Sequence, residues 1–538
     1  MSLIQKPVNG VEKTIGESLN EIGVRYPHNT AIVHCERDIR WTYRVFLSQV
    51  NRAAKGLMRI GIGKGDKVAL WAPNIPEWII SQIAVAKVGA VLVPVDVGAG
   101  TEDLRYMLGH SGCRSLIMTG GQQHDDRAGI LWELNHDTLL ESVIVIDEKP
   151  DTHRISWSRL MEIGEEVDRE TLTKREREVR PTDPVAIMYT SGTTGKPKGV
   201  VLNHRGLITK STASAKRQGL NNQDRLCLFF PLFHMFGNTC IALTGLLAGA
   251  SIIIPSQAFE PTKILSAIYG EGCTALYGSP SMFITLIDHP EFRVENCRTL
   301  RKGIIGGAPC PMELMRKVVE YIGISDITVA YGITEASSWI TMTLPEDPLD
   351  LRVSTIGTAL ECNEVKIIDP ITGEDLPAGH PGELCTRGFL MIGYYAMPAA
   401  TAAAIDQEGW FHAGDLGEMD EAGYIKITGR IKDVIVRDGV EIYPTELEET
   451  IYQLPGVSEV QVFGFPHPTK GQEVAAWIKL SDRADLSLDT VARFVADHVD
   501  KEKAPRYYKL VTGFPITRTG KVQKFRLAEL AAKEYRDQ

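Results

Sequence analysis

Residues 189–200 read Tyr-Thr-Ser-Gly-Thr-Thr-Gly-Lys-Pro-Lys-Gly-Val. Gly192, Gly195 and Gly199 let the backbone take positive φ and approach a ligand closely, so successive N–H groups can converge on an anion. Thr190, Ser191, Thr193 and Thr194 add hydroxyl donors, and Lys196 and Lys198 add positive charge. A polyphosphate is the guest that such a loop suits. Turn chemistry alone would also allow a surface turn of small polar residues. The common nucleotide cradle, G-x-x-x-x-G-K-[ST], does not fit, because Pro197 follows Lys196 and no Ser or Thr stands there for magnesium.

Five further stretches hold chemistry-bearing residues. In Tyr331-Gly332-Ile-Thr334-Glu335 a Thr and a Glu at the carboxyl end of a strand could meet a phosphate and its Mg²⁺, which usually takes one or two carboxylates plus substrate oxygens. Gly306-Gly307-Ala308-Pro309 has little side chain and suits a flat ring lying against the backbone. Asp415 ends Trp410-Phe-His-Ala-Gly-Asp415, and Arg430 ends Thr428-Gly-Arg430. Lys521 sits on a glycine turn within Lys501–Arg526, which holds eight Lys/Arg and one acid in a chain of net charge −10. Taken singly, each has an ordinary reading: a strand-to-loop turn, a tight turn, a loop acid, a solvated lysine.

The elements that must position these residues read as α/β. The apolar run Val185–Tyr189 is a strand feeding the loop. Lys67–Trp71 and Ala90–Pro94 flank a helix with Trp78, Ile79, Ile83 and Ala86 on roughly one face; strand, helix and strand in that order imply a right-handed parallel unit. Ser251–Ile254 and Gly303–Ile305 continue the alternation, and the charged run Glu165–Arg180 reads as a solvated helix and loop. Near Arg430 the character changes and short strands crowd together, at Tyr424–Thr428, Asp433–Arg437, Val460–Gly464 and Glu473–Leu480. Thr445-x-x-Glu448 reads as a capping box, and Thr490 as the start of another helix. The division is a large α/β domain over 1–431 and a small α+β domain over 432–538.

Bulk numbers fit this picture. At 538 residues the chain exceeds what one core can organise, and 43% hydrophobic residues provide ample burial. The negative charge argues against nucleic-acid or anionic-membrane binding. The longest apolar stretch, Ile241–Ile254, is too short for a transmembrane span, and the N-terminal residues lack a signal-peptide layout. Nine cysteines with no Cys-x-x-Cys pair point to free thiols in a reducing cytoplasm. Oligomeric state is unreadable, and a homodimer is compatible with the sequence.

The five motifs, in this order over nearly the whole chain, resemble those of the acyl-adenylate-forming superfamily. Within it, Gly393-Tyr-Tyr395, Gly409–Gly417 and Asp438–Pro444 look most like fatty-acyl and aryl-acyl CoA ligases. The resemblance implies an ATP phosphate loop at Thr190–Gly195 with Lys198. It implies an adenine site at Gly307, Ala308, Pro309, Tyr331 and Gly332, with the tyrosine stacking. It implies a ribose site in which Asp415 accepts from both hydroxyls and Arg430 closes from the far side of the cleft. Lys521 then bridges carboxylate and α-phosphate, Thr334 and Glu335 serve the phosphate and Mg²⁺, and His234 gates an acyl pocket lined by His234, Tyr277, Gly278, Gly306 and Ile340. Lys432 takes the hinge position and Gly439 the CoA channel. Relatives commonly read Gly-Gly-Glu-Asn where this chain reads Asp438-Gly-Val-Glu441, which puts a carboxylate beside that channel. The implied reaction is carboxylic acid plus ATP giving acyl-AMP and pyrophosphate, followed by CoA giving acyl-CoA and AMP, on a medium-chain, cyclic or aromatic acid. Transfer to a carrier-protein thiol is the alternative, and it would require a separate partner.

Overall fold

The structure is a computed structural model that describes residues 10–120, 140–146, 154–190, 196–467, 470–481, 484–515 and 522–535. Lys521 and the loop residues Ser191, Gly192, Thr193, Thr194 and Gly195 lie outside the described residues.

The chain forms two compact units, one of residues 1–364 and 386–411, the other of 365–385 and 412–538. The first unit holds two large sheets. One runs in the order Gly393–Tyr394, Lys198–Asn203, Pro184–Thr190, Val91–Pro94, Lys67–Trp71, Ser115–Met118, Ser142–Val145, Ile155–Ser156. Its strands from Pro184–Thr190 onward are parallel, and the first three in this order pair antiparallel. The expected Lys67–Trp71 strand has the bounds read from sequence, and its parallel partner is Val91–Pro94.

The intervening helix, Pro76–Val88, differs from its reading: every residue is buried, so it has no solvent face. The cause is its surroundings, since helices Ile15–Arg25, Tyr43–Arg59 and Arg169–Glu178 all pack on it. Its one buried cation, Lys87, is matched by Glu176 at 2.8 Å and by the side-chain oxygens of Asn20 and Asn51.

The second large sheet carries the parallel strands Ser251–Ile254, Arg225–Cys227, Ala275–Gly278, Lys302–Gly306 and Asp326–Ile333 side by side in its middle. Ser338–Met342 then turns back antiparallel on Asp326–Ile333. Gly303 shows how closely these strands sit, because a Cβ there would stand 2.3 Å from the Leu276 carbonyl oxygen.

In the second unit, strands Glu364–Ile368, Gly382–Arg387, Phe411–Met419 and Ile425–Arg430 form one sheet, so the 431/432 division read from sequence falls inside this unit, at the Ile431–Asp433 turn. A second sheet is built on the antiparallel pair Val457–His467 and Gly471–Leu480, with Tyr507–Leu510 added parallel. Strands Ile435–Arg437 and Val440–Ile442 meet in a two-residue turn at Asp438 (φ +52°) and Gly439 (φ +82°). Positive φ at both positions is the type I′ turn that matches strand twist, and Asp-Gly is among its preferred pairs. Asp438 is therefore compatible with the backbone that this turn requires.

Two helix starts differ from expectation. The helix Pro444–Tyr452 begins at Pro444 with Tyr443 as its N-cap, and no side chain caps it. Thr445 is thus already inside the helix, and Glu448 is engaged elsewhere: it accepts from the Val462 N–H at 2.7 Å and from Lys524 at 2.8 Å. The helix Leu488–His498 is capped by Ser487, whose hydroxyl accepts from the Thr490 N–H.

All nine cysteines are free thiols, and eight are buried. Burial pushes the thiols of Cys35 and Cys297 up to about 11 and those of Cys113 and Cys310 up to about 12.

Ser487→Ala should lower stability by about 1 kcal/mol, and Thr490→Ala by clearly less, in thermal or urea unfolding. The reverse ranking would restore the helix start read from sequence.

Candidate active site

Chemistry-bearing residues of the first unit stand where strands end. Thr190 is the last residue of its strand and pairs directly with Lys198, the first residue of the next, so the two flank the mouth of the connecting loop. Tyr331, Gly332 and Ile333 close the strand Asp326–Ile333, and Thr334, Glu335 and Ala336 follow in a single 3₁₀ turn. That turn exits through two non-glycine residues at positive φ, Ser337 (+60°) and Ser338 (+129°), a strain of roughly 1–3 kcal/mol each. Gly306 ends a neighbouring strand in register with Ala330, and Gly307, Ala308 and Pro309 beyond it are exposed.

Glu335 is held by a residue to which the sequence reading gave no role. The Tyr394 hydroxyl donates to Glu335 Oε1 at 2.9 Å, and the Lys198 ammonium lies 4.8 Å from the centre of the Tyr394 ring. The structure thereby links the loop lysine, the carboxylate and the Gly393–Tyr394 strand. Burial first, and then the Glu335 charge, raise the Tyr394 hydroxyl above the usual tyrosine range, which keeps it a donor. The only sequence signal was its place in Gly393-Tyr-Tyr395.

His234 ends an irregular stretch, Phe230–His234, clamped by two asparagines. Asn74 donates to the Phe230 carbonyl and accepts from the Leu232 N–H, and Asn238 donates to the carbonyls of Leu232 and His234. His234 Nδ1 accepts from the Phe236 N–H at 3.1 Å, so the proton of the neutral ring sits on Nε2. Aromatic rings continue from it: Phe230 lies 5.4 Å from His234, Phe236 lies 4.5 Å from Phe230, and Trp339 meets Phe236 edge-on at 5.0 Å. Trp339 also covers Gly306, where a Cβ would stand 3.0 Å from the indole.

The five pocket residues read from sequence do not all present side chains to one face. Tyr277 and Gly278 are adjacent on a strand and point oppositely. The Tyr277 hydroxyl donates to the buried Gln218 at 2.6 Å, whereas Gly278 faces Phe229. Ile340 likewise alternates with Trp339, and Trp339 is the one that packs on Gly306. A tryptophan four residues beyond Glu335 was the available signal.

In the second unit Asp415 and Arg430 sit opposite each other on the antiparallel strands Phe411–Met419 and Ile425–Arg430, with Arg430 Nε donating to Asp415 Oδ1 at 2.7 Å. The strand register makes the two neighbours, and the ribose grip read from sequence remains a proposal. The approach to Asp415 is held by Glu383, which accepts from the Gly414 N–H at 3.1 Å and from His412 Nδ1 at 3.0 Å. Lys432 is exposed within the Ile431–Asp433 turn, and Gly439 is exposed at its hairpin tip.

The AMP-binding enzyme model matches residues 19–395, and the AMP-binding enzyme C-terminal domain model matches residues 446–521. The chain belongs to the AMP-binding enzyme family. It is 41% identical over 534 residues to YngI of Bacillus subtilis (strain 168), which carries an acyl-CoA synthetase name, covering 96% of this chain and 97% of that protein. It is 33% identical over 537 residues to the human mitochondrial medium-chain acyl-CoA ligase ACSF2, covering 96% and 87% respectively. Among solved structures, ATP-bound MatB from Rhodopseudomonas palustris superposes with a TM-score of 0.82 at 26% identity, over 97% of this chain and 99% of that one. A Mycobacterium tuberculosis fatty acyl CoA synthetase does so at 0.72 and 28%, over the same shares. The mixed α/β architecture with a smaller C-terminal part is that of adenylate-forming enzymes.

In this AMP-binding enzyme the strand bearing Trp339 and Ile340 is tied down by a buried amine. Lys210 is fully buried and donates to the Asn363 side-chain oxygen. Asn363 in turn donates to the carbonyls of Trp339 and Ile340 at 3.1 and 2.7 Å. Burial pushes the Lys210 amine down to about 8, against about 10.4 in an unfolded chain. Between those values the unfolded chain holds the extra proton, so rising pH favours the folded state at this site. Measured against Lys210→Met, the wild type should gain stability from pH 8 to about 10.4, on the order of 3 kcal/mol at most, with a flat difference below pH 8. A flat difference throughout would mean that the amine titrates normally.

Proposed function

We propose that this enzyme is an ATP-dependent, AMP-forming acid–CoA ligase whose acid is a medium-chain fatty acid, with cyclic or aromatic carboxylic acids next in order. The single observation carrying the site assignment is the convergence of Lys198 and Glu335 on one tyrosine at the mouth of the phosphate loop. Family membership and the acyl-CoA synthetase and ligase relatives support the reaction class. The medium-chain reading draws on the name of ACSF2 and on the apolar ring series Phe230, Phe236 and Trp339.

In the first half-reaction the acid's carboxylate attacks the α-phosphorus of ATP and pyrophosphate leaves. Lys198 and the hydroxyls of Thr190–Thr194 bind the β- and γ-phosphates. Thr334 donates to the transferring phosphoryl group. Lys521 sits between carboxylate and α-phosphate, offsetting charge as the pentacoordinate phosphorus forms. The Glu335 carboxylate is a hard oxygen donor and fits a magnesium ion carried in with ATP, which would neutralise phosphate charge. Tyr331 stacks on adenine beside Gly307–Pro309, and Asp415 and Arg430 take the ribose hydroxyls. In the second half-reaction the CoA thiol passes Gly439 and attacks the acyl carbonyl, expelling AMP, after a rearrangement about Lys432. The acyl-CoA synthetase and ligase relatives favour CoA over a carrier-protein thiol as acceptor, and cytoplasmic residence and homodimer formation belong to the same proposal.

The testing experiment is AMP and acyl-CoA formation with ATP, Mg²⁺ and CoA across straight-chain, cyclic and aromatic acids. CoA consumed one-for-one with AMP on a C6–C12 acid is expected; acid-dependent pyrophosphate release with CoA untouched would overturn the acceptor. Lys521→Ala should cut adenylation roughly 10²-fold or more while thioester formation from supplied acyl-AMP survives. Equal loss in both half-reactions would remove Lys521 from the first step.

A further inference from the structure

Tyr394 sits in a segment held by hydrogen bonds from its backbone N–H groups. Its own N–H donates to Thr401 Oγ1 at 2.9 Å. Around it, Tyr395 N–H donates to the Gly199 carbonyl at 2.7 Å and Ile392 N–H to the Val201 carbonyl at 2.8 Å. Met391 N–H donates to the carbonyl of Glu335 itself at 2.7 Å. The segment is therefore stitched both to the strand that leaves the phosphate loop and to the turn that carries the acid.

From that fixed base one side chain touches two opposite charges. Its hydroxyl donates to Glu335 Oε1 at 2.9 Å, and its ring face lies 4.8 Å from Lys198 Nζ. A lysine and a glutamate brought to the same loop mouth would otherwise pair with each other or swing into solvent, and long side chains lose considerable rotamer freedom when later fixed by a ligand. The phenol gives the carboxylate a neutral donor and the ammonium a π-face, so each is oriented while keeping its charge.

We propose that Tyr394 is a positioning residue that presets the Glu335 carboxylate and the Lys198 ammonium for a metal–polyphosphate before the nucleotide arrives. The proposal rests on the reading of Lys198 and Glu335 as phosphate and magnesium groups. Presetting lowers what must be ordered on binding, so its signature is affinity for the nucleotide and not only turnover.

The experiment is calorimetric titration of the full-length protein with ATP alone and with ATP plus Mg²⁺, for wild type, Tyr394→Phe, Tyr394→Leu and Glu335→Gln. Tyr394→Phe keeps the ring and removes the donor. It should bind metal-free ATP within about twofold of wild type but lose roughly tenfold of the affinity gained on adding Mg²⁺. Tyr394→Leu also removes the π-face and should weaken metal-free ATP binding as well. An unchanged magnesium gain in Tyr394→Phe overturns the proposal while leaving the role of Glu335 intact. An unchanged gain in Glu335→Gln overturns the reading of Glu335 itself, and the proposal with it. Thioester formation from supplied acyl-AMP and the melting temperature should match wild type in Tyr394→Phe; a parallel fall in both would make the tyrosine merely structural and overturn the proposal.

Discussion

Backbone N–H and C=O groups buried on both sides of a sheet must pair along the full strand, and this requirement governs where chemistry can stand in the protein. Lys67–Trp71 and Val91–Pro94 are buried almost throughout, and the helix between them has no exposed side. Such elements can hold a scaffold rigid but cannot present a polar group to a ligand. Several candidate side chains of the first unit consequently stand at strand ends: Thr190 and Lys198 at a loop mouth, Thr334 and Glu335 just past a strand, and Gly307–Pro309 past its neighbour. Parallel strands put several of these ends on one edge, the general arrangement of ligand sites in open α/β sheets.

Where pairing stops, something else must satisfy the backbone, and here amides and carboxylates do so. Asn74 and Asn238 hold the stretch before His234, Asn363 holds the carbonyls of Trp339 and Ile340, and Glu383 holds the turn before Asp415. None of these four contacts substrate in the proposed reaction, yet each fixes a residue that does. Charge follows the same logic in the interior, where Lys87 is matched by Glu176 and Lys210 by the neutral Asn363; burial lowers both amines, and that of Lys210 falls to about 8.

Much of this was legible in the sequence, for identifiable reasons. Short apolar runs bounded by turn residues gave Lys67–Trp71 its bounds, because local composition suffices when a strand is buried on both faces. The glycines, hydroxyls and lysines of residues 190–198 carry the proposed phosphate loop from sequence alone, since residues 191–195 lie outside the described residues. The failures came from competition that a local pattern cannot register. Thr445 and Glu448 have capping-box spacing, but Pro444 claims the first helical position and Lys524, 76 residues away, claims the carboxylate. Tyr394 reaches Glu335 across 59 residues, and Arg430 meets Asp415 only because the hairpin register sets them opposite. Side-chain direction was also hidden: Tyr277 and Gly278, or Trp339 and Ile340, differ by the strand's alternation and not by composition.

The protection of the enzyme's own sulfur has a consequence for chemoselectivity. An acyl-adenylate is an acylating agent with no intrinsic preference for the thiol of CoA over a thiol of the protein that made it. At neutral pH a thiol with a pKa near 11 is thiolate in only about one molecule in ten thousand, and the thiolate is the nucleophile. Eight of the nine cysteines are buried, and Cys35, Cys113, Cys297 and Cys310, shifted to about 11 or 12, are poor rivals of the incoming thiol. Thiols can be carried beside a thiol-consuming reaction where, as at Cys35, Cys113, Cys297 and Cys310, burial keeps them protonated.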